Sequence, residues 1–213
     1  CLVALDDQQV VYGTQDWCAR RVDFGSGKPG GNGSLIGQVS ASPTRVSCAG
    51  NVVAVGTEDG TVRVFDLRVG ERCIFDLTDH TYGASADAET VSTTALALAN
   101  DQRYLLHGAR RGGWIREGPR ASFRVRHRLD AGITDAVAMP QGAGNSWRET
   151  VVVGAVGVGT VLVNAETGVF SEKRITNHAP RALCAFANAN AGPDEVSDSS
   201  HKNPGPRPGW WER

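Results

Sequence analysis

Residues 52–71 read VVAVGTEDGTVRVFDLRVGE. Two valine-rich runs flank Glu58-Asp59-Gly60. An Asp-Gly pair between apolar runs marks a tight hairpin, because glycine takes positive φ at little steric cost. Residues 52–56 and 61–67 are therefore read as two antiparallel strands. Residues 45–48 before them and 73–77 after them have the same short, Val/Ile/Phe-rich character, which suits strands. The stretch thus predicts a four-stranded unit, with its second turn, between the second and third strands, fixed by Asp59 and Gly60. An Asp in such a turn bonds nearby backbone N–H groups.

The same unit recurs upstream. Residues 9–28 read QVVYGTQDWCARRVDFGSGK. Shifted by 43 residues, Gly13 falls on Gly56, Thr14 on Thr57, Asp16 on Asp59, Arg20 on Arg63, Asp23 on Asp66 and Gly27 on Gly70. Downstream, residues 104–118 (YLLHGARRGGWIREG) place Gly108 at the same point, 52 residues on. Residues 151–168 (VVVGAVGVGTVLVNAETG) place Gly154 another 46 on. Four-stranded repeats at about this period are the signature of propeller blades. The Ala-rich run 93–99 could pass for helix, but its place in the repeat makes it an innermost strand. One more inner strand is expected at 181–186. The fold class is all-β, with four blades spanning 1–187 and a Pro/Gly/Ser-rich, disordered tail over 188–213.

GTEDGTVRVFDLRVG resembles the core of a WD repeat, with Phe65-Asp66 where the familiar form has Trp-Asp. Val22-Asp23 takes that place in the first repeat, and the third and fourth have lost it. Asp79-His80 and Asn177-His178 stand near the family's Gly-His position. The resemblance implies a non-catalytic scaffold that gathers proteins on its faces and rims. It implies a structural role for Asp16 and Asp59, in a hydrogen-bonded network that Phe65 leaves incomplete. Because such rings commonly have seven blades, it also implies that four blades are an open piece of a larger ring; a closed four-bladed ring is the alternative. The chain begins at Cys1 and has its only methionine at Met139, which fits a fragment or processed chain.

Two features point to partners. Phe65-Asp66-Leu67-Arg68 resembles the Trp-Asp-x-Arg ending of WD-repeat substrate receptors in cullin-type ubiquitin ligases, which would make Arg68 an adaptor contact. Residues 103–128 hold eight arginines against Glu117 alone, a net charge of +7 in a chain whose total is −1. In residues 123–129, FRVRHRL, Arg124, Arg126 and Arg128 alternate with apolar neighbours, as on a strand with one wet face. That stretch reads either as a charged edge that blocks aggregation or as a patch for an acidic or phosphorylated partner or nucleic acid. Arg110 and Arg111, at a predicted turn, are its better contacts, with Arg124 and Arg126 beside them.

The balance of 22 basic to 23 acidic residues gives no global field for nucleic acid or membrane. No apolar run reaches the roughly 20 residues that span a bilayer. The five cysteines lack C-x-x-C spacing and read as reduced thiols of an intracellular (cytoplasmic or nuclear) protein. No nucleophile, zinc or EF-hand pattern emerges, so no catalytic residue, metal ligand or cofactor is expected. The glycine-rich run at 25–31 lacks the strand-to-helix setting of a phosphate loop and reads as a solvated hairpin loop.

Overall fold

The computed structural model describes residues 1–25, 33–77, 92–99, 102–118, 124–139, 149–171, 174–178, 180 and 182–183. They form fifteen strands in four antiparallel sheets. The first sheet is β1 (Leu2–Ala4), β2 (Gln9–Gly13), β3 (Cys18–Asp23) and β4 (Ser34–Gln38). The second is β5 (Pro43–Ala49), β6 (Val52–Thr57), β7 (Val62–Asp66) and β8 (Cys73–Leu77). The third is β9 (Thr93–Ala99), β10 (Tyr104–Ala109), β11 (Gly112–Glu117) and β12 (Arg124–Leu129). The fourth is β13 (Ile133–Ala138), β14 (Thr150–Ala155) and β15 (Gly159–Asn164). Each sheet is a meander in chain order, so each is one blade.

The blades stack in sequence, first on second, second on third, third on fourth. Their cores lie between blades. Val11, Ala19 and Ile36 of the first meet Val53, Val55 and Phe65 of the second. The other face of β6 sends Val52 and Ala54 toward Leu96, Leu98 and Leu105 of the third. The other face of the third blade sends Ala95, Ala97, Tyr104, Leu106 and Ile115 toward Ile133, Val151, Val153 and Val161 of the fourth. β6 and β10 are buried throughout, because a blade has a neighbour on both faces.

The glycines that revealed the repeat have a common physical cause. A Cβ on Gly13 would stand 2.3 Å from Pro43, on Gly56 2.4 Å from Thr93, and on Gly108 2.6 Å from Ile133. Each glycine is the notch into which the next blade's inner strand begins. Gly154 faces Pro180 in the same way, at 2.8 Å. A threonine then stitches the second blade to the third, the third to the fourth, and the fourth to Pro180. Thr44 Oγ1 donates to the Thr93 carbonyl at 2.7 Å, Thr94 Oγ1 to that of Ile133, and Thr134 Oγ1 lies 2.8 Å from that of Pro180. Pro180 thus occupies the point where a further inner strand would start. Of the strand expected at 181–186, only Ala182 and Leu183 are described, and they carry no strand pairing. The first and fourth blades do not pack face to face among the described residues, so the arrangement is an open row of four blades rather than a closed ring of four.

The fourth blade departs from the pattern at its edge. Among the described residues its outer edge is held by two isolated bridges, Val163 to Phe170 and Thr160 to Thr176. Gly168 lies against the His127 ring, so this edge is shaped by the third blade's outer strand. The tail (188–213), the glycine-rich loop from 26 onward and the Asp79-His80 pair lie outside the described residues.

Candidate functional site

Consecutive antiparallel strands put alternate turns at opposite ends of a blade. The turns after each second strand define an upper face: 14–17, 58–61, 110–111 and 156–158. The turns after each first and third strand define a lower face.

On the upper face the first two blades build one turn twice. In the second blade Thr57 Oγ1 lies 2.5 Å from Asp59 Oδ1 and 2.8 Å from the Thr61 carbonyl, and the Thr61 N–H donates to Asp59 at 3.0 Å. Burial pushes the Asp59 carboxyl up, but the bonds from Thr57 and Thr61 outweigh it and hold it below its usual range. Gly60 closes the turn at a φ of 81°. In the first blade Thr14 bonds Asp16, and Asp16 also pairs with Arg20 at 2.8 Å. The position of Gly60 is taken there by Trp17, at a φ of 60°. A bulky residue in this region is strained. Trp17→Gly should therefore stabilise the protein by about 1 kcal/mol, seen as a higher denaturation midpoint. A lower midpoint would mean that contacts of the indole outweigh the strain. Trp17 is 54% exposed. The alignment of Asp16 with Asp59 already placed residue 17 against Gly60, a signal the sequence reading did not use.

The five arginines singled out as contacts do not share one surface. Arg110 and Arg111 are exposed on the upper face of the third blade. Arg68 is on the lower face of the second blade. There Asp66, itself buried, takes its guanidinium with both oxygens, at 2.9 and 2.5 Å, and its backbone N–H at 3.0 Å. The Arg68 side chain remains 49% exposed. Arg124 and Arg126 lie on β12, the third blade's outer edge. Arg126 bonds Glu117 and the Glu166 carbonyl. Arg103 holds the other oxygen of Glu117, at 2.8 to 3.0 Å. The two arginines, Arg103 first, hold the Glu117 carboxyl below its usual range. Two of the eight arginines read from this stretch are thus tied into the blade. Arg116 is buried, and Arg120 lies outside the described residues.

The inner strands β1, β5, β9 and β13 line a cavity of about 320 Å³. Arg45 and Asp135 approach across it at 3.7 Å. Burial pushes the Asp135 carboxyl up, against hydrogen bonds from the Leu183 and Ala136 N–H groups. These two residues were not foreseen, because only stacking brings the second and fourth inner strands together.

Other polar groups serve the frame. His107 lies 3.1 Å from Thr93 Oγ1 and against the Trp114 ring. Cys1, Cys18, Cys48 and Cys73 are free thiols, and burial pushes Cys48 up to about 11. Among the described residues no His, Cys, Asp or Glu group is placed to hold a metal ion, and no helix is long and apolar enough to cross a membrane.

No protein-family model matches the chain. No curated protein matches it either. Among solved structures it is similar to a WD40 propeller chain in the crystal structure of the Mitotic Checkpoint Complex, with a TM-score of 0.55 and 15% identity. The match covers 78% of this chain and 48% of that one, so this chain spans about half the length of its neighbour. Together with the four meandering sheets, that likeness gives the chain the fold of a WD40-like β-propeller.

Proposed function

We propose that this chain is a non-catalytic scaffold of the WD-repeat type that holds other proteins on its blade faces. The observation that carries the reading is where the packing goes. Both faces of the inner blades are consumed by stacking, which makes a rigid frame and leaves the turns free to vary. Contacts on variable turns held by a rigid frame are how such scaffolds bind. The neighbour's place in a multi-protein complex supports the same reading by analogy. Free thiols fit an intracellular setting.

Arg110 and Arg111 are the proposed upper-face contacts, and Arg124 and Arg126 the outer-edge ones. Arg68, oriented by Asp66 and half exposed, is the lower-face candidate and the residue an adaptor of a cullin-type ligase would meet.

The test is a quantitative cross-linking pull-down from lysate with three purified chains: wild type, Arg110→Glu/Arg111→Glu, and Arg68→Asp. The reading expects a discrete protein set captured by the wild type and lost from one of the variants. Loss of a ligase adaptor in Arg68→Asp alone would give the lower face that role. Identical capture by all three, or capture of chaperones alone, would contradict these contacts.

A further inference from the structure

The cavity of about 320 Å³ among the inner strands is lined by none of the arginines proposed as contacts. Pockets that take small ligands start at about 300 Å³. Arg45 and Asp135 carry the only charged side chains in its lining, so their charges cancel. The rest of the lining is largely aliphatic and includes Val46, Leu96, Leu98 and Leu183.

The two charged groups are held differently. Both Asp135 oxygens accept backbone N–H groups, Oδ1 from Ala136 at 3.0 Å and Oδ2 from Leu183 at 2.5 Å, which fixes the carboxylate. Arg45 is anchored by one bond, from Nη1 to the Thr44 carbonyl at 3.0 Å. Its Nε stands 3.7 Å from Asp135 Oδ1, beyond hydrogen-bond range, and is shut off from solvent with no partner. The pair is therefore close in charge but not joined by a hydrogen bond. Of the four N–H groups on Nη1 and Nη2, Thr44 takes one, and the other three are unclaimed among the described residues. The Arg45 side chain is 37% exposed, and Nη2 is not closed off as Nε is.

Free donors, a fixed carboxylate beside them and aliphatic walls select by charge. A ligand carboxylate on Arg45 would stand beside Asp135, and like charges at that range repel. A ligand ammonium on Asp135 would meet Arg45 in the same way. A neutral group that accepts on one side and donates on the other satisfies both. We propose that this cavity takes a primary carboxamide, its oxygen accepting from the Arg45 Nη groups, its N–H donating to Asp135 and its alkyl stem on the aliphatic lining. The oxygen and nitrogen of a carboxamide share one edge about 2.3 Å apart, so the two bonds can reach neighbouring groups. A trans backbone amide turns its C=O and N–H to opposite sides and cannot do this. The source rests on the scaffold reading: a glutamine or asparagine side chain of a partner protein. A free small amide has the same chemistry, and the test separates the two.

The probes are acetyl-Ala-Ala-Gln-Ala-Ala-methylamide, the same peptide with glutamate or norleucine for glutamine, and propionamide. The readout is NMR of the full labelled chain, at the Arg45 Nε–Hε cross-peak and the Leu98 methyl signals. The glutamine peptide should shift both saturably, and the glutamate and norleucine peptides should shift neither. Arg45→Lys, which keeps the charge but loses the planar fork, should weaken the glutamine peptide by about tenfold, read at Leu98. Tighter binding of the peptide than of propionamide supports a partner side chain; equal binding supports the site with a free small amide as its ligand. Equal shifts from all three peptides, a preference for glutamate, or no shift from either amide would overturn the proposal. If Arg45→Lys failed to fold, the comparison of peptides on the wild type would still decide. The probes are synthetic, so a failed pull-down leaves this test intact, and a failed titration leaves the proposed arginine contacts standing.

Discussion

Gly56→Ala should lower stability by about 3 kcal/mol, a fall in Tm of roughly 8 °C for a chain of this size. The added Cβ would stand 2.4 Å from Thr93 Cγ2 and 2.9 Å from Thr93 Cβ. Relief requires β9 to retreat. That movement would weaken the Thr44 bond to the Thr93 carbonyl and open the core of Val52, Ala54, Leu96 and Leu98. Gly70 provides the control. Unlike Gly56 it has positive φ, at 84°, and nothing lies within 4 Å of an added Cβ. Gly70→Ala should therefore cost only about 1 kcal/mol, for backbone conformation alone. Thr93→Ser removes the clashing methyl and keeps the hydroxyl that meets His107. In the Gly56→Ala background it should recover part of the loss, and a double-mutant cycle by chemical denaturation measures that coupling. Equal losses at Gly56 and Gly70 would mean that the notch carries no packing role.

Phe65→Ala should cost about 3–5 kcal/mol by the loss of a fully buried ring and the cavity left behind. Phe65 is 1% exposed and packs with Val11, Ile36 and Val53 between the first two blades. Its ring also reaches Gly37, where a Cβ would come within 2.3 Å of Cε1. Restoring the tryptophan of the familiar repeat should not help. Phe65→Trp should lose about 2 kcal/mol by overpacking against the Gly37 backbone, and the indole N–H would need a partner. A gain in denaturation midpoint for Phe65→Trp would show that the site tolerates the larger ring and that the Gly37 contact does not set its size.

The blades were legible because their constraints are local or recur along the chain. Asp59-Gly60 fixes a hairpin by its own φ preference, and the Thr14/Thr57 and Asp16/Asp59 pairs repeat the same hydrogen bonds. The recurring glycines were visible as a pattern, while their cause was not. It lies in the partner residues Pro43, Thr93, Ile133 and Pro180, which are far away in sequence. The same holds for the site. The arginine count of the third repeat was plain, but the clamp of Arg103 and Arg126 on Glu117 needs the register of β11 on β12. The Arg45–Asp135 approach needs whole blades stacked in order, which no local pattern encodes.

The stacking itself is the central claim, and nuclear Overhauser contacts from the notch glycines test it most directly. Blades stacked in order predict cross-peaks from Gly13 to Pro43, Gly56 to Thr93, Gly108 to Ile133 and Gly154 to Pro180, since each pair is in van der Waals contact. Contacts within each sheet accompanied by none of these four would contradict it, leaving four separate meanders and no propeller.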